Sequence, residues 1–252
     1  MKISTTLVSG AGNTFHIIWK SSVVDTKEQQ RITEIICKNT PADGLIFLNQ
    51  AQDHFKWDFY NNDGSVAEMC GNATRCVGFY IKNKLSNHLD NYQLNTIAGP
   101  IQITALSPEK FQIQMTKVLE LESKSYFYCD TGVPHIVIPI DDFENYRNYF
   151  SMCKDLRFHP EFTPRGTNVT LICHTDHPQK IKAVSYERGV ENFTAACGTG
   201  AAAAAFYNLK KNGQRLTTVQ MPGGDLLFNL ENTNQPIMVG PAILLGEYSY
   251  DI

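Results

Sequence analysis

A chain of 252 residues has room for one large domain or two small ones, and its 42% hydrophobic and 19% charged residues are typical of a globular protein. The formal net charge is only −3 and no stretch reaches the length of a membrane span, which argues against a nucleic-acid partner and against a membrane protein. The seven cysteines are scattered without the spacing of a metal site, and the start of the chain lacks an apolar signal core. We therefore expect a cytoplasmic protein with reduced thiols and no bound metal.

Short runs rich in β-branched and aromatic residues predict strands along the whole chain. In chain order they are residues 3–8, 15–19, 45–48, 57–60, 101–105, 111–115, 136–140, 169–173, 181–184 and 226–230. An amphipathic helix is predicted to begin near Asp25 or Thr26, because Ile32, Ile35 and Ile36 share one side. Two further helices are predicted to begin directly after Cys70 and Cys197.

The two halves of the chain resemble each other. Each contains a Cys-Gly pair followed at the same offset by Phe-Tyr, in residues 70–80 and 197–207. Glycine turns that lead into strands flank both segments in the same order. This repeat predicts an α+β fold of two pseudo-symmetric duplicated lobes, residues 1–120 and 121–252. In each lobe a curved, mostly antiparallel sheet wraps around a central helix, and the active site is expected in the cleft between the lobes.

Each cysteine of the repeat is expected at the entrance of a helix, where unpaired N–H groups and the positive end of the dipole favour an anion. Such a position can lower the pKa of a thiol, and the adjacent glycine N–H groups suit a carboxylate. One thiolate could then remove the α-proton of an amino acid while the other thiol delivers a proton to the opposite face. This chemistry needs no cofactor. The other five cysteines are interpreted as buried small hydrophobic residues.

Several motifs resemble those of the diaminopimelate epimerase family. Residues 63–72 (DGSVAEMCGN) are similar to its first cysteine signature, and residues 186–200, which begin with YERG and end with CGTG, to its second. Shorter blocks at residues 10–15, 132–135, 166–169 and 222–224 also match. The resemblance implies a cofactor-independent isomerase that interconverts LL- and meso-diaminopimelate in lysine and peptidoglycan biosynthesis, with a small-molecule amino-acid substrate. It also implies a homodimer.

The resemblance further implies roles for individual residues. Cys70 and Cys197 correspond to the catalytic acid and base, which exchange roles with the direction of the reaction. His135 and Glu187 are implied to tune the pKa values of the cysteines. The residues implied to bind substrate are Asn13, Asn61, Gly71, Asn72, Asn168, Glu187, Arg188, Gly198 and Thr199. Asn13 and Asn61 lie in turn-forming sequence and His135 precedes a strand, so a purely structural role is the alternative for each.

Three departures from the family pattern leave the substrate open, the first of them CGNATRC at residues 70–76, where CGNGARC is commoner. Residues 191–194 form a loop that is one residue longer than in the family and carries Phe193 in place of a glutamate, and Val133 stands where many relatives have asparagine. One alternative is a racemase of the same architecture that acts on proline, hydroxyproline or histidine. A second is a non-catalytic thiol switch. Arg188 favours a substrate with a second carboxylate, because a monocarboxylate would leave its charge unpaired.

Overall fold

A computed structural model of the chain describes residues 2–19, 25–85 and 88–252. The strands are β1 (Lys2–Gly10), β2 (Asn13–Trp19), β3 (Gly44–Ala51), β4 (His54–Asn61), β5 (Asn91–Thr96), β6 (Gly99–Ser107), β7 (Lys110–Gln114), β8 (Leu119–Leu121), β9 (Phe127–Asp130), β10 (Pro134–Pro139), β11 (Asn168–His174), β12 (Lys180–Glu187), β13 (Asn192–Thr194), β14 (Leu216–Met221), β15 (Gly224–Asn229), β16 (Ile237–Pro241) and β17 (Ile243–Asp251). The α-helices are α1 (Thr26–Asn39), α2 (Gly71–Asn83), α3 (Phe150–Arg157) and α4 (Gly198–Asn212). None of the helices in these described ranges is long and apolar enough to cross a membrane.

The chain divides into two compact units. Unit 1 comprises Met1–Ile113 and Gly240–Ile252, and unit 2 comprises Gln114–Val239. This grouping differs from the predicted boundary between residues 120 and 121, because the last strand belongs with the first. β17 runs antiparallel to β1, from the pair Lys2 and Asp251 to the pair Ser9 and Ile243. Backbone hydrogen bonds along that length attach the end of the chain to unit 1.

The two units share one order of strand pairing. In unit 1, β1 and β2 are antiparallel, β2 and β3 parallel, β3 and β4 antiparallel, β4 and β5 parallel, and β5 to β7 antiparallel. In unit 2 the same series of directions links β9, β10, β11, β12, β14, β15 and β16. Helix α2 follows β4, and α4 follows the corresponding strand β12 and its short partner β13. The predicted duplication into mostly antiparallel α+β lobes is confirmed.

The central helices are buried because small residues let the strands approach them closely. Every residue of α2 from Gly71 to Ile81 is buried, and so are the five alanines 201–205 of α4. At Gly78 a Cβ atom would press against the side chains of Ile103 and Phe111. Each helix begins directly after a cysteine, which is its N-cap residue: Cys70 for α2 and Cys197 for α4. The prediction of a helix after each cysteine is therefore confirmed.

The remaining sequence predictions for local structure hold to within a few residues. All ten predicted strands are present, and α1 begins at Thr26 with the Asp25 carboxylate accepting a capping hydrogen bond from the N–H of Glu28 at 3.0 Å. Helix α3 was not predicted. It packs against β11 and β12 of unit 2 through Cys153 and Leu156.

Candidate active site

The first-cysteine site lies in unit 1, at the start of α2. Cys70 is half-buried and extended, and its carbonyl oxygen accepts hydrogen bonds from the N–H and the hydroxyl of Thr74, both at 2.9 Å. The Cys70 side chain makes no capping hydrogen bond to the helix. First-turn N–H groups of a helix have no intrahelical partner, so those of Gly71 and Asn72 suit an anionic ligand.

A chain of side-chain hydrogen bonds joins two of the predicted substrate residues in unit 1. The Asn72 amide nitrogen donates to Oδ1 of Asn13 at 2.5 Å, and Asn13 in turn donates to the Asp43 carboxylate at 3.3 Å. Asn72 is almost completely buried, and its own Oδ1 accepts from Arg75 at 2.7 Å. The structure therefore brings Asn13 and Asn72 together at the start of α2.

Asn61, also predicted to bind substrate, is the exposed last residue of β4, directly before a turn. Its side-chain amide donates to the Ser65 hydroxyl at 2.9 Å, and its backbone N–H donates to the Ser65 carbonyl at 2.8 Å. Asp63 accepts from the same serine, and Gly64 has a positive φ of 78°. These contacts agree with the alternative that Asn61 has a purely structural role in the turn.

Arg75 was missed by the sequence analysis, although it contacts the first-cysteine site directly. It is fully buried and donates to the carbonyl oxygens of Gly71 and Pro241 as well as to Asn72. Burial lowers the pKa of Arg75 to about 10, and negative charge on the nearby Cys76 and Cys70, when they are thiolates, opposes that shift. The guanidinium therefore stays a cation at neutral pH. Arg75 follows Asn72 by three residues on a predicted helix, and this spacing could have indicated that the two side chains interact.

The second-cysteine site lies in unit 2, at the start of α4. The sulfur of Cys197 accepts a hydrogen bond from the Gly200 N–H at 3.3 Å and lies 3.4 Å from the Thr199 hydroxyl. Only 4% of Cys197 is exposed. Burial raises the pKa of the Cys197 thiol and the charge of Glu187 raises it further, while hydrogen bonds from Thr199, Gly200 and Ser185 oppose the rise. The expectation of a lowered pKa is wrong for this cysteine, because desolvation outweighs the helix entrance.

His135 is fully buried, and Thr199 lies between it and Cys197. Its Nε2 is 3.0 Å from the Thr199 hydroxyl and 3.2 Å from the Asn168 amide nitrogen, and its Nδ1 is 2.9 Å from the Thr170 hydroxyl. Burial lowers the pKa of His135 to about 3, and the charge of Arg188 lowers it as well. The imidazole is therefore neutral at physiological pH and reaches Cys197 through a hydroxyl group.

The remaining predicted substrate residues of unit 2 surround β11 and β12. Oδ1 of Asn168 accepts from the backbone N–H of Arg188 at 2.7 Å, and the Arg188 guanidinium donates to the carbonyl oxygen of Arg165 at 2.7 Å. The Glu187 carboxylate accepts a short hydrogen bond from the hydroxyl of Thr194, which the sequence analysis did not single out. Asn168, Glu187 and Arg188 therefore surround the same strand end, with Glu187 electrostatically coupled to Cys197.

Residues 191–194, which the sequence predicts as a loop, are a turn residue followed by strand β13, and two sets of contacts hold them. Glu191 has a positive φ of 55°, and its carboxylate accepts from the Gly189 N–H at 3.0 Å and from Nε of Arg157 on α3 at 3.1 Å. Phe193 packs edge-on against Tyr146, Phe150 and Tyr186, with ring centroids 5.1 to 6.2 Å apart. The ring of Phe193 therefore anchors this segment at the position where the family resemblance implies a glutamate.

Removing this anchor is expected to act on Glu187 through Thr194, the next residue along β13. Phe193→Ala should lower the free energy of unfolding by about 2 kcal/mol, since the ring is half-buried, and should lower kcat/KM severalfold. The matched control is Phe127→Ala, a half-buried phenylalanine that packs on Phe206 and Tyr207. Chemical denaturation and initial rates measure both effects. Equal rate losses in the two variants would mean that the loop contributes stability only.

Across the described residues, no group of three or more His, Cys, Asp or Glu side chains is arranged to hold a metal ion. A family model described as diaminopimelate epimerase matches residues 5–119 and 127–245. The chain belongs to the diaminopimelate epimerase family. The resemblance seen in the sequence motifs is thereby confirmed, and with it the assignment to a family of isomerases.

Individual relatives agree with this family. A diaminopimelate epimerase from Hydrogenobaculum sp. is 32% identical, with 98% of this chain and 99% of that protein covered. A diaminopimelate epimerase from Aquifex aeolicus is 40% identical over 185 residues, which cover 68% of this chain and 64% of that protein. Among solved structures, a phenazine biosynthesis protein of the PhzF family from Enterococcus faecalis has a TM-score of 0.78 at 16% identity, with both chains fully covered. This last likeness concerns the fold alone.

Proposed function

We propose that this protein interconverts LL- and meso-diaminopimelate, with Cys70 and Cys197 as the acid/base pair. The observation that carries the proposal is the equivalence of the two cysteines: each is the N-cap residue of the buried helix that follows corresponding strands in the two units. Packing in a buried core does not require a cysteine to be the N-cap residue of a helix in both halves of a duplication. A pair of acid/base groups that acts on two faces of one carbon does require two such equivalent positions.

The proposed reaction begins with recognition of the α-carboxylate. Backbone N–H groups of Gly71 and Asn72 from one helix, and of Gly198 and Thr199 from the other, would bind it. Their partial positive charges stabilise the negative charge that develops when the α-proton leaves.

Proton transfer would follow through the two sulfurs. The thiolate of one cysteine takes the α-proton and becomes a thiol, and the pair of electrons stays on the substrate as a carbanion. The thiol of the other cysteine donates its proton to the opposite face and becomes the thiolate. The product has the inverted configuration, and the two sulfurs have exchanged protonation states, so the reverse reaction uses them in the opposite order.

The far end of diaminopimelate carries a second ammonium and a second carboxylate. In the proposal the Glu187 carboxylate binds that ammonium, and Arg188 binds the carboxylate through its planar fork. Asn168 supports this pair, since it accepts from the Arg188 N–H at 2.7 Å. Asn13 and Asn61 of unit 1 are proposed to contact the substrate as well.

Deuterium labelling tests the substrate. In deuterated water, LL-diaminopimelate should acquire α-deuterium and yield the meso isomer, as followed by mass spectrometry and chiral chromatography. Proline, hydroxyproline and histidine under the same conditions should stay unlabelled. Labelling of proline or histidine but not of diaminopimelate would replace the proposed substrate, and no labelling of any of them would favour the thiol switch. A cytoplasmic location and a homodimer stay predictions of the sequence analysis.

A further inference from the structure

A closed ring of hydrogen-bonding side chains surrounds the inner side of Cys197. From the sulfur it runs to the Thr199 hydroxyl at 3.4 Å, to Nε2 of His135 at 3.0 Å, and from Nδ1 of His135 to the Thr170 hydroxyl at 2.9 Å. Thr170 and Ser185 are cross-strand neighbours on β11 and β12 with hydroxyl oxygens 3.0 Å apart. The Ser185 hydroxyl lies against Gly200 in the first turn of α4 and lowers the pKa of Cys197, which places it on the remaining side of the ring.

Four of the five members of the ring are shielded from water, and Thr199 is half-buried. Thr170, Ser185 and His135 are fully buried, and Cys197 almost so. A buried hydroxyl that lacks a partner is costly, so each of these groups is expected to donate as well as accept. Once the donor and the acceptor of one hydrogen bond in the ring are known, those of the others follow.

Asn168 fixes that direction. Its Oδ1 accepts from the backbone N–H of Arg188, so its amide nitrogen must be the atom that faces His135 Nε2 at 3.2 Å. An amide nitrogen can only donate, so Nε2 must be an acceptor and cannot carry the proton of a neutral imidazole. The proton of His135 therefore lies on Nδ1, which donates to Thr170. Thr170 then donates to Ser185, and Ser185 donates to the sulfur.

We propose that Thr170 and Ser185 form a one-way hydrogen-bond chain from His135 to Cys197 that stabilises the thiolate form of this cysteine. Ser185 contacts the sulfur, and Thr170 is a positioning residue that acts through it. The inference rests on the proposed function for Cys197 as an acid/base group. Neither hydroxyl was singled out by the sequence.

The Thr199 hydroxyl takes two orientations in this proposal. When Cys197 is a thiol, its S–H donates to the Thr199 oxygen, and the Thr199 O–H shares the single lone pair of His135 Nε2 with the Asn168 amide. When Cys197 has given its proton to the substrate, the Thr199 O–H turns to the sulfur. The thiolate then accepts from Thr199, from Ser185 and from the Gly200 N–H, and Asn168 keeps Nε2 of His135 satisfied. No proton leaves the ring other than the one on sulfur.

The tautomer of His135 is the first test, and it needs no substrate. In ¹⁵N-labelled protein at neutral pH, one-bond N–H coupling should place the His135 proton on Nδ1, with the signal assigned by its loss in His135→Gln. His16 is an internal control, since it is buried too but its Nε2 faces the Thr40 carbonyl oxygen at 3.1 Å and must therefore carry the proton. A proton on Nε2 of His135 would overturn the proposal whether or not diaminopimelate is the substrate.

Kinetics of variants form the second test. Ser185→Ala should lower kcat/KM tenfold to a hundredfold, about the value of a hydrogen bond to a charged group, and Thr170→Val about tenfold. The double variant should lose no more than Ser185→Ala alone, and Thr170→Ser should recover most of the rate. Thr217→Val, which removes a buried hydroxyl bonded to Asn208, is the control and should keep its rate. Losses that multiply in the double variant would overturn the proposal.

Discussion

Replacement of either Cys70 or Cys197 by serine is expected to lower kcat/KM for diaminopimelate by about a thousandfold or more. A serine hydroxyl is a much weaker acid than a thiol, so it can neither hold the base form nor deliver a proton efficiently. Both residues are needed in every turnover, and the two losses should therefore be similar in size. Chiral chromatography of the product measures the remaining rate.

The same substitutions should leave the fold intact, which separates chemistry from stability. Serine is a favourable N-cap residue, and both cysteines occupy that position. We expect the free energy of unfolding to change by less than about 1 kcal/mol in either variant. Cys76→Ala is the contrasting control. Its sulfur is fully buried in α2 and donates to the Val8 carbonyl oxygen at 3.7 Å, so this variant should lose stability and keep its turnover.

Isotope exchange adds a stereochemical criterion to this prediction. With only one thiol left, the enzyme can reach the α-proton from one face, so each serine variant should exchange deuterium into one stereoisomer and not the other. The two variants should show opposite preferences. Exchange into the same isomer by both variants, or a rate loss in Cys76→Ala as large as theirs, would contradict the two-base proposal.

The fold was largely predictable because the chain is duplicated, so that its two halves can be aligned with each other. The matching Cys-Gly and Phe-Tyr pairs identified two equivalent helices, and short runs rich in β-branched and aromatic residues located ten strands. The return of β17 to β1 could not be predicted, since nothing in residues 243–251 says which of many edges the strand will join. Helix α3 was missed because its sequence has only two buried positions, Cys153 and Leu156.

The candidate site was less predictable, because its electrostatics depend on burial and on contacts between distant residues. A helix entrance suggested a lowered pKa at Cys197, but the sequence does not show that the sulfur is almost completely buried beside Glu187. Thr170 and Ser185 look like ordinary strand residues until β11 and β12 pair. Motifs locate the cysteines and their neighbours along the chain, while the groups that tune them come from other strands.

Arg75→Met should have the second large effect, on both stability and catalysis. The guanidinium satisfies the Asn72 side chain and the carbonyl oxygens of Gly71 and Pro241 inside the protein. Loss of these donors leaves buried acceptors unpaired, so the free energy of unfolding should fall by about 3 kcal/mol or more. Since Asn72 also positions Asn13, kcat/KM should fall tenfold to a hundredfold, a larger loss than in the exposed control Arg31→Met, whose arginine pairs with Glu28.

The charge of Arg75 and its hydrogen bonds can be separated through the reactivity of Cys70. The two groups interact electrostatically, and an opposite charge nearby favours the thiolate. In Arg75→Met the pH at which Cys70 is half-maximally alkylated should rise by about one unit. Mass spectrometry measures it, with the half-buried Cys173 of unit 2 as internal reference. Arg75→Lys should restore that pH but little of the stability, because an ammonium cannot reach the Asn72 oxygen and the backbone oxygens with one fixed fork. An unchanged midpoint in Arg75→Met would show that the guanidinium acts on Asn72 alone.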